Sequence, residues 1–151
     1  MAGNKSNYLA KKVLDHVLGK TTYTAPSTIY FGLWTATLGD SSTGTTAGEP
    51  TDLYDSGTGL GYRRVSKTNN TSFWPNALGS DVATKSNNDA LTWSTAAADW
   101  GTITHFAILD DGPTAGAAAN VLYWGQLTSP KIISTGDTAS FSSTALVVTE
   151  D

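Results

Sequence analysis

The groups in this chain that could do chemistry are two histidines, a set of carboxylates and many serine and threonine hydroxyls. Imidazoles serve as general bases or metal ligands. His16 and His105 stand far apart and share no His-Glu-x-x-His spacing. His16 is therefore expected on a helix surface or at an interface. His105, between Thr104 and Phe106, is expected as a packed strand residue. A nucleophilic serine would announce itself in a Gly-x-Ser-x-Gly elbow, and the chain contains none. Asp110-Asp111-Gly112 offers carboxylates, but calcium needs six to eight oxygens and the local spacing is not that of an EF-hand. A turn is the simpler reading, and Asp99 before Trp100 reads the same way. Gly57-Thr-Gly-Leu-Gly61 does not open a helix inside a βαβ unit, so it fails as a nucleotide loop. There is no cysteine, which excludes disulfides, Cys-ligated zinc and thiol catalysis. No catalytic residue, metal ligand or cofactor site is expected, and the chain is expected not to be an enzyme.

Binding is the remaining role. Five Trp and six Tyr could form a sugar platform, although aromatics in a small β protein mostly build core and interface. Trp34, Trp93, Trp100 and Trp124 fall in strand-like contexts. Trp74, beside Pro75, is the aromatic expected to be exposed. Net charge is −4, which gives no global field for nucleic acid. The charge is uneven, however. Lys5, Lys11, Lys12 and Lys20 against Asp15 make residues 1–20 net +3, leaving −7 for the remainder. A basic segment on an acidic body suggests docking onto a partner, while lysines on an ordinary helix are the plainer explanation. The candidate partner-binding residues are Lys5, Lys11, Lys12, Asp40, Glu49, Tyr54 and Trp74. No apolar run is long enough to span a bilayer, and no secretory signal is apparent. No membrane or nucleic-acid partner is expected, and synthesis is expected in the cytoplasm.

The elements that would position these residues follow from periodicity. A helix is predicted over residues 6–18, with Ser6 or Asn4 as N-cap and Gly19 in the left-handed position past its end. Its apolar stripe of Leu9, Val13, Leu14, Val17 and Leu18 must pack on its own sheet or on a neighbouring subunit, with its own sheet favoured. Thr28–Trp34 reads as a strand, with Gly32 marking a bulge or a close approach. Residues 38–60 lack clear periodicity and are read as a long excursion from the domain. Gly61-Tyr-Arg-Arg-Val-Ser-Lys67 alternates, placing Tyr62 and Arg64 on one face. Residues 68–89 are loop-rich around Phe73-Trp74-Pro75. Strands follow at 91–93, 101–109, 120–128, 131–134, 137–142 and 144–149, with a small-residue hairpin loop at 115–119. One domain over residues 1–151 is predicted: an all-β antiparallel β-sandwich, jelly-roll-like, with one N-terminal amphipathic helix.

These segments also carry a resemblance. Leu14-Asp-His-Val-Leu-Gly19, Tyr23-Thr-Ala-Pro26, Ile29-Tyr-Phe-Gly-Leu-Trp34, Gly61-Tyr-Arg-Arg-Val65 and Thr84-Lys-Ser-Asn87 occur in order. They are followed by Ala98-Asp-Trp-Gly-Thr-Ile-Thr-His-Phe-Ala-Ile-Leu109, Leu122-Tyr-Trp-Gly-Gln-Leu127 and Gly136-Asp-Thr-Ala-Ser-Phe141. Together they resemble a group of small virion structural proteins of tailed bacteriophages, variously labelled tail-fibre, minor tail or minor capsid proteins. The loop at 38–60 is the departure, longer here than in the group. The resemblance implies a virion component without catalytic residues. Its leading expectation is a capsid decoration, or cement, protein on the exterior of the head, associating as a homotrimer and bridging the major capsid protein. The alternatives are a tail or head appendage contacting tail or neck proteins, and a module binding host-surface carbohydrate.

Overall fold

A computed structural model describes residues 2–50, 59–112 and 114–150. The protein is all-β with one N-terminal helix. The elements are β1 (Ala2–Lys5), α1 (Asn7–Leu18), β2 (Thr28–Trp34), β3 (Val65–Thr68) and β4 (Ala83–Ser86). They continue with β5 (Leu91–Thr92), β6 (Gly101–Leu109), β7 (Val121–Ile133), β8 (Ser140–Phe141) and β9 (Val147–Glu150). Seven strands form one sheet in the order β3-β2-β6-β7-β1-β9-β4, and β5 and β8 form a ribbon. Pairing is antiparallel except between β1 and β9. The ribbon packs on the sheet through the edge of Phe141, 5.9 Å from Phe106 of β6, and Trp93, which follows β5, lies 5.7 Å from the same ring. Two equal packed sheets, as in a jelly roll, are not formed by the described residues.

The centre of the sheet is buried on both faces. Ile29, Phe31 and Leu33 of β2 point into the larger core with Phe73, Trp74, Trp93 and Leu146. The alternate residue Trp34 points to the opposite face, into a second core with Leu38, Ala107, Leu109 and Val121. Strict alternation predicts one wet face. It is absent here because loops cover the second face. On β6 the pairing with β7 shifts between Ile103 and His105. That irregularity re-aims the chain, so Ile103, Phe106 and Ile108 all reach the larger core. Strand β7 runs through Pro130 as one element, where two strands were predicted. β6 pairs with Gln126 and next with Lys131, so Pro130 lies where no ladder bond is required.

Two strands were not legible in the sequence. β1 joins the sheet by short pairings, Asn4 and Lys5 with β7 and Ala2 and Gly3 with β9. β4, inside the stretch predicted as loop-rich, pairs with β9. The following Asn87 is fully buried and its side chain is satisfied. It donates to the carbonyls of Asp89 and Ser142 and accepts from the Leu146 amide at 2.9 Å.

Helix α1 begins one residue later than predicted, because Ser6 is its extended N-cap and accepts from the Leu9 amide at 3.2 Å. The Ser6 hydroxyl also donates to the Val121 carbonyl, tying the helix start to β7. Gly19 does not hold the left-handed position. It is right-handed at φ −100°, and Lys20 takes the left-handed conformation at φ 56°. Replacing Ser6 by Ala removes the cap and the bond to β7 together. It is expected to cost about 1–2 kcal/mol, read as a lower urea midpoint with an unchanged slope.

Candidate partner-binding face

The second face of the sheet is assembled around Arg64. Its side chain is buried with that of Glu49, 2.7 Å away. The pair is bidentate, Nε donating to Oε1 at 2.8 Å and Nη2 to Oε2 at 2.7 Å. The remaining guanidinium donors reach the carbonyls of Gly44 at 2.8 Å and Gly112 at 3.0 Å, and lie 3.4–3.5 Å from that of Ala117. The indole of Trp34 lies against the guanidinium at 5.9 Å. The strand predicted over residues 61–67 forms only from Val65, as β3, so alternation does not set the faces of Tyr62 and Arg64: Tyr62 belongs to the larger core, and its hydroxyl donates to Glu49 at 3.0 Å and accepts from the Leu33 amide at 2.8 Å. Gly116 supplies one more amide to Glu49 at 2.9 Å. Gly32 is the close approach that its place in β2 suggested. A Cβ there would lie 2.6 Å from the Trp34 ring and 2.8 Å from Glu49.

This constellation pins residues 39–50 to the domain. Thr35 holds the Gly48 carbonyl by its amide at 2.7 Å, Trp34 Nε1 holds that of Thr46 at 3.0 Å, and Gly44 donates to Ala119 at 2.9 Å. The expected excursion is therefore corrected over this range: the segment is a lid over the second core, because the buried guanidinium needs its Gly44 carbonyl and Glu49 carboxylate. Tyr54 and residues 51–58 lie outside the described residues.

The start of α1 meets this lid. The Asn7 amide donates to the Asp40 carbonyl at 2.8 Å, and Trp124 Nε1 donates to the Asp40 carboxylate at 3.1 Å. Between helix and lid runs a groove of about 540 Å³, lined by Tyr8, Lys11, Lys12, Asp15, Asp40 and Ser41 among others. Lys11, Lys12 and Asp40 are thus brought together. Lys12 lies over the Tyr8 ring at 5.7 Å. The Tyr8 pKa is raised by partial desolvation and by the Asp110 carboxylate it bonds. Lys5 is elsewhere, paired with Glu150 at 2.6 Å with both side chains about one-third exposed. Such a pair is worth at most about 1 kcal/mol.

Two other expected contact residues are not on the surface. Glu49 is buried in the ion pair. Trp74, read as the exposed aromatic, is 7% exposed and packs against Phe73 at 5.1 Å and Phe31 at 6.2 Å. Its neighbour Phe73 draws it inward. The structure adds what the sequence left open: Leu9 alone of the helix stripe is buried. Val13, Leu14, Val17 and Leu18 are exposed by 37%, 58%, 66% and 79%. Packing on the chain's own sheet, the favoured expectation, holds for Leu9 at the first turn and not for the rest of the stripe.

The histidines sit as expected. His105 is buried beside Trp124, its Nδ1 2.9 Å from the Thr104 hydroxyl, and burial lowers its pKa. His16 Nδ1 accepts from the Tyr23 amide at 3.3 Å. Asp110 is spent on Asn120, accepting from its amide and side chain at 2.8 and 2.7 Å across the β6–β7 turn.

A family model described as podophage GP4 fiber I protein gp80 matches residues 4–149. The chain belongs to this podophage fibre family. A comparison with curated proteins gives no match. The matched span takes in the Arg64–Glu49 pair, α1 and its groove.

Two outcomes are expected from the buried network. Glu49→Ala strands the Arg64 charge and should cost about 3–5 kcal/mol in chemical denaturation. Burial and the Glu49 charge hold the Tyr62 pKa well above its ordinary 10, and burial and Glu150 raise that of Tyr123. The unfolded chain then loses those protons first, so this stability is complete below pH 10 and is lost as pH rises toward the folded values. A denaturation series above pH 10 should show falling stability, with a shallower fall in Tyr62→Phe.

Proposed function

We propose that this protein is a non-enzymatic structural subunit of a fibre-type appendage on a tailed-phage virion. The observation that carries the reading is the fibre-family match over nearly the whole described chain. The physical character of the domain supports it. The groups with reactive potential are spent on structure: His105 is packed beside Trp124, Asp110 bonds Asn120 and Glu49 neutralises Arg64. A virion part needs a rigid body and a surface for assembly, and here a doubly covered sheet carries a helix with four exposed apolar side chains.

The face proposed to meet the neighbouring virion protein is the groove between α1 and the lid, with Lys11, Lys12 and Asp40. Its lysines are free of carboxylate partners among the described residues and project from the basic end of an acidic chain. Charges at the rim of a contact steer association and make it salt-sensitive. Capsid decoration, the leading expectation from the sequence, remains the competing reading, and copy number separates the two. Quantitative mass spectrometry of purified virions is expected to find a few to a few dozen copies, localised to an appendage in a density map. Hundreds of copies over the head would establish decoration instead. Reversing Lys11 and Lys12 to Glu should reduce incorporation at low salt without altering the denaturation midpoint.

A further inference from the structure

The larger core is open on one side. Between the sheet and the segment 69–77 lies a groove of about 440 Å³. Its floor is aliphatic: Ile29 of β2, Ile108 of β6, Leu122 of β7 and Val148 of β9, all members of the larger core. Protein interiors pack to nearly crystalline density, so a hollow of this size over core side chains has room for something else. Its volume falls within the range of small-molecule sites, roughly 300–1,000 Å³.

The outer wall is fixed in place. Asn70 Oδ1 accepts from the amides of Ser72 and Phe73 at 3.0 Å, and the Asn70 carbonyl accepts from the Trp74 amide at 2.9 Å. Asn69 is tied by its side-chain amide to the Pro26 carbonyl at 2.9 Å. Phe73 and Trp74 root the same segment in the core. A groove held in this way exists before a ligand arrives, which lowers the ordering cost of binding.

The lining selects the ligand. Trp74 is 7% exposed and packed against Phe31 and Phe73, so it offers no open indole face on which a sugar or a base could stack. A floor of aliphatic side chains without that platform suits a hydrocarbon chain. Two charged residues stand at the rim, Glu150 and Lys85. Glu150 is neutralised: Lys5 Nζ lies 2.6 Å from one carboxylate oxygen, and the Tyr123 hydroxyl donates to the other at 2.8 Å. Lys85 of β4 is exposed and has no carboxylate partner among the described residues. The uncompensated charge at the mouth is therefore positive, on a chain whose net charge is −4.

We propose that this groove binds an aliphatic carboxylate, with the hydrocarbon chain on the Ile29, Ile108, Leu122 and Val148 floor and the carboxylate at Lys85. The site is separate from the groove between α1 and the lid. It does not rest on the appendage reading, so its failure leaves that reading standing.

The test uses the purified full chain. Titration calorimetry with hexanoate, heptanoate and octanoate, each below its aggregation concentration, should show one saturable site per chain. Affinity should rise about fourfold per added methylene. Lys85→Gln changes an exposed side chain and should weaken octanoate binding about tenfold. It should leave the binding of octanol, which shares the chain but not the charge, unchanged. Ala77→Trp fills the groove from an exposed position on its wall. It should abolish binding of both ligands with an unchanged denaturation midpoint. In the wild type, amide chemical-shift changes on adding octanoate should centre on residues 69–77, Lys85 and Val148. Absence of saturable binding, shift changes centred elsewhere, or undiminished binding by Ala77→Trp overturns the inference. So does octanol binding as tightly as octanoate, or a Lys85→Gln loss shared equally by the two ligands.

Discussion

A guanidinium with nowhere to go but inward governs the second face of this protein. Burying Arg64 would be prohibitive without compensation, because a desolvated charge costs several kcal/mol even after relaxation. Compensation here is nearly complete: a bidentate carboxylate, carbonyls from Gly44 and Gly112, and the face of Trp34. These partners come from separate stretches of chain. Satisfying one side chain therefore forces the lid, the β6–β7 loop and the sheet into one arrangement. Small residues are required where they converge. A Cβ on Gly112, which is at φ +82°, would lie 2.8 Å from Arg64 Nη1.

The same constraint explains where the assembly surface lies. The lid cannot leave the sheet without stranding Arg64, so Asp40 and its neighbours are held against the start of α1. Ser6 fixes the helix start to β7 at the same place. The helix is thus anchored at its first turn and carries its remaining apolar residues into solvent. Rigidity at the base and exposure at the tip suit a subunit that must present a defined surface to its neighbours. Helix stability in proteins comes mainly from burying an apolar face, so α1 gains fully from its sequence only when something covers it.

Much of the fold was legible because its central strands obey local rules. Thr28–Trp34 and Gly101–Leu109 form the predicted strands with the predicted ends, since β-branched and aromatic residues run between turn signals. Strands β1 and β4 were not legible. They are short, polar and held by partners distant in sequence, so no local pattern marks them. Among the candidate contact residues, Lys11, Lys12 and Asp40 do converge. Glu49 and Trp74 do not, because a charge and an indole look the same in sequence whether they face water or a partner inside the fold.

The sequence by itself determined that this is a strand-rich, cysteine-free protein with one amphipathic helix, a basic start and an acidic remainder. Those properties follow from composition and from the 2.0 and 3.6 residue periods that every local segment obeys. Tertiary structure alone decided that Arg64 is interior, that Glu49 neutralises it and that residues 39–50 close over it. It likewise decided that Leu9 would be the last helix side chain covered by the chain's own body. Burial is a property of which surfaces meet, and the surfaces that meet here are dozens of residues apart.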